Sequence, residues 1–183
     1  MNWNNRRRSW QRWVCSDGSE HAEVHFLEYV LRKLRYNSSV HCSITCYMSW
    51  SPCGECCQYI MDFLQRMPYV NLDIYVARLY WHKEENNRNG LWNLNMEVPI
   101  WIMDLQAYNY CWSMFVWDED KDEEDYYPRH FAPWIMLYSL ELQSILQNFP
   151  SCLEISIKAD KPPIFSLCVE DEEQKRALTA ETN

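Results

Sequence analysis

Apolar residues recur along the chain with two periods, and each period predicts a different kind of element. Val24, Leu27, Leu31 and Leu34 form one stripe at helical spacing. Comparable spacing predicts helices over 21–36, 53–66, 105–116 and 131–149. Alternating or continuous apolar residues predict strands near 8–14, 41–48, 71–79 and 98–103. The polar residues of 83–90 predict a loop that leads into a short helix.

Strands and helices therefore alternate over most of the chain. This order predicts an α/β domain whose sheet is covered by helices and contains at least one parallel pair of strands. A length of 183 residues suits a single domain, which we expect to span 1–169. The apolar residues of 150–169 predict either a last hairpin of the core or a hydrophobic arm that contacts a partner. The acidic residues 170–183 predict a disordered tail.

The net charge of −9 is concentrated in two segments. Residues 118–125 hold seven acids and one lysine, and residues 170–183 hold five acids and two bases. The remainder of the chain is close to neutral, with basic residues near its beginning and around 32–35. Total charge therefore neither indicates nor excludes a nucleic-acid partner. The chain has only three glycines, which excludes a glycine-rich phosphate loop.

Cysteine usage favours a reducing environment. The chain has nine cysteines, an odd number, and its first residues lack the apolar segment of a signal peptide. We therefore expect a cytoplasmic and nuclear protein whose cysteines are free thiols or metal ligands. No run of ~18 apolar residues occurs, so we expect no membrane-spanning segment.

One pair of motifs carries recognisable chemistry. His21-Ala22-Glu23 reads H-x-E, and Pro52 to Cys56 reads P-C-x-x-C, with 28 residues between Glu23 and Pro52. Together they form the signature of zinc deaminases. His21, Cys53 and Cys56 would supply three ligands to Zn²⁺ and leave a coordination position for water. Glu23 would transfer protons between that water and the substrate.

Other interpretations of the same residues stay open at this stage. A C-x-x-C pair also occurs in structural metal sites and in redox motifs. Cys57 could replace Cys56 as a ligand, and His25 or His41 could complete a closed site with four ligands. The fixed offset of Glu23 from His21 favours an open, catalytic site, because a structural zinc site has no need of a proton carrier.

Longer segments resemble the AID/APOBEC family of polynucleotide cytidine deaminases. The resemblance lies in "HAEVHFLE", "SWSPCGEC", "NLDIYVARLYWHKEENNRNGL" and "YNYCWSMFV", and "FAPWIMLYSLELQSILQNFPSCLEIS" resembles the mRNA-editing branch of the family. It implies a cytidine-deaminase-like fold, with a central mixed five-stranded sheet flanked by helices. Only twenty residues precede His21, so the resemblance also implies that the first strand of the family is missing or divergent.

The resemblance further implies a substrate and its contacts. The reaction would be the hydrolysis of cytosine to uracil in single-stranded RNA or DNA. By similarity, Trp50 and Ser51 would line the base pocket, and Tyr80 would stack on the target base. Trp81 and His82, with the lysine after them, would contact the preceding nucleotide. The arm at 150–169 would bind an RNA-binding cofactor protein or a second copy of the chain.

Two alternative functions compete with this one. The chain could deaminate free cytidine, since S-P-C-G-x-C also resembles that class of enzyme. It could instead be a catalytically silent, zinc-containing module that binds nucleic acid or protein.

Overall fold

The computed structural model describes residues 10–17, 19–34, 41–115, 128–147 and 166–170. The strands are β1 (Trp10–Trp13), β2 (Cys42–Met48), β3 (Val70–Val76), β4 (Ile100–Ile102) and β5 (Ser166–Glu170). The helices are α1 (Ala22–Leu34), α2 (Gly54–Arg66), α3 (Glu85–Leu94), α4 (Leu105–Phe115) and α5 (Ala132–Leu146). A short 3₁₀ turn, Pro128–Phe131, leads into α5. Within the described ranges, no helix has the length and apolar character needed to cross a bilayer.

The five strands form one mixed sheet in the order β1-β5-β2-β3-β4. Strands β2, β3 and β4 are parallel, whereas β5 runs antiparallel to both β1 and β2. The predicted fold class is therefore confirmed. The sequence also predicted that the first strand of the family is missing or divergent. In the observed sheet, β5, which comes from residues 166–170, pairs with both β1 and β2.

Several predictions concern segments outside the described residues. The acidic run 118–125 and the tail beyond Glu170 lie there. Most of the predicted arm, 150–165, lies there too, and with it the predicted contacts with a cofactor protein or a second copy of the chain. Only its last part is described, as the β5 backbone inside the sheet.

Helices cover both faces of the sheet. On β2, residues 42, 44, 46 and 48 are buried on one face, where they meet Phe26, Leu27 and Val30 of α1. Helices α2 and α3 and the end of α5 complete this larger core. The opposite face of β2 and β3 carries stacked tyrosines that pack against α4 in a second, smaller core. The sequence predicted Val24 on the buried stripe of α1, but Val24 is only half-buried there.

Helix α3 is longer than predicted, because it takes in most of the polar segment 83–90. Its buried face consists of Asn87, Gly90, Leu91 and Leu94, which recur at helical spacing. Two of these residues are not apolar, so the hydrophobic pattern hid the face that packs against α2.

Close packing between α2 and α3 depends on Gly90. A Cβ atom on Gly90 would lie 2.8 Å from the Cα of Gly54 and 3.2 Å from the Cβ of Cys57. We expect Gly90→Ala to lower the free energy of unfolding by about 1–3 kcal/mol, because the helices must separate. Urea denaturation measures the effect.

The matched control is Asn93→Ala, on the exposed side of the same helix. It should be neutral or slightly stabilising, since alanine favours a helix. A Gly90→Ala variant as stable as the wild type would show that the two helices do not approach this closely.

Candidate functional site

The candidate site lies at the carboxyl ends of the parallel strands β2 and β3, where ligands commonly bind in α/β sheets. Met48 and Val76, the last residues of these strands, are partners in the sheet register. The following segments stay together, because Ala77 donates its N–H to Met48 and Ser51 donates its N–H to Arg78. The segment after β2 thereby meets the segment after β3, although 27 residues separate them in the chain.

Three potential metal ligands meet at this edge. The Nδ1 atom of His21 is 3.2 Å from the Sγ of Cys56 and 3.6 Å from the Sγ of Cys53. Each of the three lies at the beginning of a helix. The His21 carbonyl accepts the N–H groups of Val24 and His25 at the start of α1. Cys53 is the N-cap of α2, and its Sγ accepts the N–H of Cys56 at 3.5 Å.

The cluster could hold a metal ion. One ligand atom from each of the three residues lies within 4.8 Å of the other two, and no other such group occurs among the residues that the structure describes. A donor set of one imidazole and two thiols matches the ligands of catalytic zinc sites. Three protein donors would leave a further position open to water.

The surroundings of the cluster favour a cation. Burial raises the pKa of the Cys56 thiol, and the nearby Glu23 and Cys53 raise it further. Burial also raises the pKa of Glu23. These groups disfavour one another's negative charge, and a divalent cation between them would stabilise both thiolates and the carboxylate. The residues present therefore fit a metal ion.

The competing ligands lie elsewhere. Cys57 is fully buried, and its Sγ donates to the carbonyl of Pro52 at 3.8 Å. The ring nitrogens of His25 lie 3.1 Å and 3.4 Å from the carboxylates of Asp17 and Glu20. His41, just before β2, contacts Tyr69 at the opposite end of the strand. The structure thus gives no support to Cys57, His25 or His41 as an additional ligand.

A cavity of about 130 Å³ opens beside the cluster. Its lining combines candidate metal ligands, the candidate proton carrier and aromatic residues: Ser16, His21, Glu23, Met48, Ser49, Trp50, Ser51, Cys53 and Tyr80. The structure therefore brings together most of the site residues that the sequence predicted. Cys56, which is buried, completes the cluster of three candidate ligands.

Trp50, Ser51 and Tyr80 form one wall of the cavity. The rings of Trp50 and Tyr80 meet edge to face, with centroids 6.5 Å apart. The buried Ser51 accepts the N–H of Tyr80 through its Oγ at 2.9 Å, which fixes the start of the loop after β3. The guanidinium of Arg78, only 4% exposed, lies 4.9 Å above the Trp50 ring and supports it from behind.

Trp81 and His82 do not line the cavity. Trp81 is 65% exposed at its edge and adopts a left-handed backbone conformation, with φ of 38°. His82 turns towards α5, where its Nε2 lies 3.9 Å from a carboxylate oxygen of the buried Glu141 and its ring contacts Tyr138. Trp81 is thus available to a ligand, whereas His82 holds its loop against the body of the protein.

A family model described as APOBEC4-like AID/APOBEC deaminase matches residues 1–118. The chain belongs to the AID/APOBEC deaminase family. The family resemblance predicted from the motifs is confirmed. The residues that the family model matches include both the H-x-E and the P-C-x-x-C motif, which together form the zinc deaminase signature.

The chain is also similar to proteins that are named as editing enzymes. The C->U-editing enzyme APOBEC-1 of Monodelphis domestica is 46% identical over 155 residues, which cover 84% of this chain and 66% of the relative. Its counterpart from Mus musculus is 45% identical over 156 residues, 85% of this chain and 67% of the relative. The DNA dC->dU-editing enzyme APOBEC-3H of Macaca mulatta is 34% identical over 98 residues, 53% of this chain and 46% of the relative. The chain spans about two thirds of the length of the two APOBEC-1 relatives.

The structure of this AID/APOBEC chain adds two residues that line the cavity and one that lies behind it, none of which the sequence predicted. Ser16 lines the cavity, and its Oγ accepts the N–H of Ala22 at the start of α1. Ser49 lines the cavity from the end of β2. Asn87, on α3, does not line the cavity, but it bonds to Gly54 and Trp81, which directly follow the lining residues Cys53 and Tyr80. Only Ser49 carries a sequence signal, since it directly precedes the Trp50-Ser51 segment.

Proposed function

We propose that this chain is a zinc-dependent deaminase that converts cytosine to uracil in single-stranded RNA or DNA. One observation carries the proposal: two members of a His-Cys-Cys cluster, the half-buried carboxylate of Glu23 and two aromatic rings line the same cavity. Family membership supports it, and relatives at 45–46% identity are named C->U-editing enzymes.

The reaction adds water to C4 of the ring and expels the amino group as ammonia. Zn²⁺ held by His21, Cys53 and Cys56 would supply Lewis acidity that makes water a competent nucleophile near neutral pH. Glu23 lines the cavity beside these donors, so its carboxylate can accept a proton from the attacking water. The same carboxylate delivers this proton to the ring nitrogen. It then takes the proton of the hydroxyl formed at C4 and passes it to the amino group, so that the C4–N bond breaks and the products are uracil and ammonia.

The walls of the cavity suit a base that has left its helical stack. Aromatic side chains bind bases with about 1–3 kcal/mol each, and Trp50 and Tyr80 offer two rings at right angles. A cytosine inside a duplex cannot present C4 to a cavity of this kind, which favours single-stranded substrates.

A polynucleotide substrate explains more of the surface than free cytidine does. Trp81 lies outside the cavity with 65% of its surface exposed. A free nucleoside would fill the cavity and leave this ring unused, whereas a nucleotide next to the target base could stack on it.

Parallel assays on four substrates test the proposal. We expect uracil to form in single-stranded RNA or DNA oligonucleotides, with no detectable product from a duplex and at least roughly tenfold slower turnover of free cytidine. Mass spectrometry of the oligonucleotides and chromatography of the nucleoside give the rates. Equal or faster turnover of free cytidine would contradict the polynucleotide assignment, and no turnover of any substrate by zinc-loaded protein would leave the binding-module alternative.

A further inference from the structure

A buried asparagine joins the metal cluster to the loop that carries Trp81. Asn87 is 4% exposed and lies on the face of α3 that packs against α2. Its Oδ1 accepts the N–H of Gly54 at 2.8 Å, and its Nδ2 donates to the carbonyl of Trp81 at 3.3 Å. The two ends of one amide therefore hold two segments that line or border the cavity.

Both bonded segments matter to the site. Gly54 directly follows the candidate ligand Cys53 and is the first residue of α2. Trp81 directly follows Tyr80, which lines the cavity. A change at Asn87 would thus alter the distance between the candidate metal ligands and the loop that carries Trp81, without altering a candidate ligand or an aromatic side chain.

The backbone of Trp81 needs this support. A tryptophan at φ of 38° is in a conformation that is unfavourable for residues with a bulky side chain. Its exposed ring contributes little packing that could hold it there. Polar contacts at its carbonyl hold it instead, since this oxygen accepts both the N–H of Glu84, at 2.9 Å, and the amide of Asn87.

The two contacts also identify asparagine as the side chain that the position requires. It must accept on the side of Gly54 and donate on the side of Trp81. A carboxylate of the same shape can only accept, and a leucine can do neither. If the amide were reversed, its NH2 group would face the N–H of Gly54 and its oxygen would face the carbonyl of Trp81, so neither hydrogen bond could form.

We propose that Asn87 is a positioning residue for nucleotide recognition. By fixing the Trp81 loop to the first turn of α2, it sets the place of the Trp81 ring relative to the target-base cavity. A single strand whose target cytosine occupies the cavity then stacks its adjoining nucleotide on Trp81. The inference rests on the proposed polynucleotide substrate and adds a residue that touches neither substrate nor metal.

The test compares Asn87→Asp with Asn89→Asp in the full chain loaded with zinc. Aspartate at 87 keeps the acceptor for Gly54 and loses the donor for Trp81. Asn89→Asp adds the same charge at an exposed position of the same helix and controls for the change in net charge. We expect Asn87→Asp to retain one zinc per chain and a kcat within about twofold of wild type. Its KM, and its Kd for a fluorescent single-stranded oligonucleotide, should rise about 3- to 10-fold, the effect of one lost hydrogen bond. Asn89→Asp should change neither constant by more than about twofold.

A double-mutant cycle with Trp81→Ala decides whether Asn87 acts through Trp81. We expect Asn87→Asp to change the Kd less than about twofold once Trp81 is alanine. Independent, multiplying effects would overturn the proposal, as would a folded Asn87→Asp variant whose Kd matches that of Asn89→Asp. Should Asn87→Asp fail to fold, Asn87→Ser removes the reach to Trp81 without burying a charge and takes its place. If neither folds, Asn87 is a folding residue and the proposal is wrong.

The proposed function fails by a different result. If the zinc-loaded wild type deaminates no single-stranded substrate, the deaminase assignment is lost, whatever the variants do. If the wild type is active and the cycle is additive, only the role of Asn87 is lost.

Discussion

Replacing Glu23 by glutamine should lower the rate of deamination by about 10²- to 10⁴-fold, the usual contribution of a general acid–base residue. The amide keeps the shape of the carboxylate but cannot accept a proton from water. Glu23 lines the cavity beside His21 and Cys53 without belonging to the cluster of three donors, so zinc content should be unchanged. Single-turnover rates on a single-stranded oligonucleotide, together with metal analysis of the same samples, measure both effects.

Glu55→Gln is the matched control. Glu55 lies in the first turn of α2, between Cys53 and Cys56, but its side chain points to solvent. The Glu55→Gln variant loses a carboxylate that is as near to the cluster in sequence as Glu23 is. Its deamination rate should stay within about threefold of wild type. If Glu23→Gln deaminates as fast as this control while it retains zinc and fold, Glu23 is not the proton carrier.

Replacing Cys53 by serine should remove both zinc and activity. A serine hydroxyl is not ionised near neutral pH and is a poor ligand for zinc beside a thiolate and an imidazole. The substitution should not disturb the start of α2, because Cys53 is the N-cap of this helix and serine is among the preferred N-cap residues. Wild type and variant should therefore unfold at similar temperatures in chelator. Added zinc should raise the melting temperature of the wild type alone, by mass action on the folded state.

Cys57→Ala separates the neighbouring thiol from the ligands. Cys57 is buried against Pro52 and Gly90, so its loss should reduce stability modestly and leave one zinc per chain. Retained zinc in Cys53→Ser together with lost zinc in Cys57→Ala would mean that the ligands have been assigned to the wrong cysteines.

The fold is readable from the sequence where burial follows a simple period. Strands β2 and β3 alternate strictly between buried and less buried residues. The ends of β2 were predicted within one residue and those of β3 within three. The start of α3 was missed because its buried face includes the polar Asn87 and the small Gly90. A hydrophobic pattern does not reveal a helix face whose buried residues include an asparagine that forms hydrogen bonds and a glycine that has no side chain.

The cluster of candidate metal ligands was predictable because each of its residues occupies a fixed place at a helix start. His21 directly precedes α1 and Cys53 caps α2, so the paired H-x-E and P-C-x-x-C motifs mark these two helix starts in the sequence. The position of His82 beside Glu141 was not predictable, since Glu141 lies 59 residues later in the sequence. The predicted contact of His82 with a nucleotide stays a prediction. Asn87 was also missed, because one of its two partners, Gly54, lies 33 residues earlier in the sequence.

X-ray absorption at the zinc edge of the purified, folded protein tests the central claim most directly. The account predicts one zinc per chain with two sulfur donors and the remaining donors nitrogen or oxygen, and the loss of one sulfur donor or of the metal itself in Cys53→Ser. A folded protein without stoichiometric zinc, or a site with three or four sulfur donors, would contradict it.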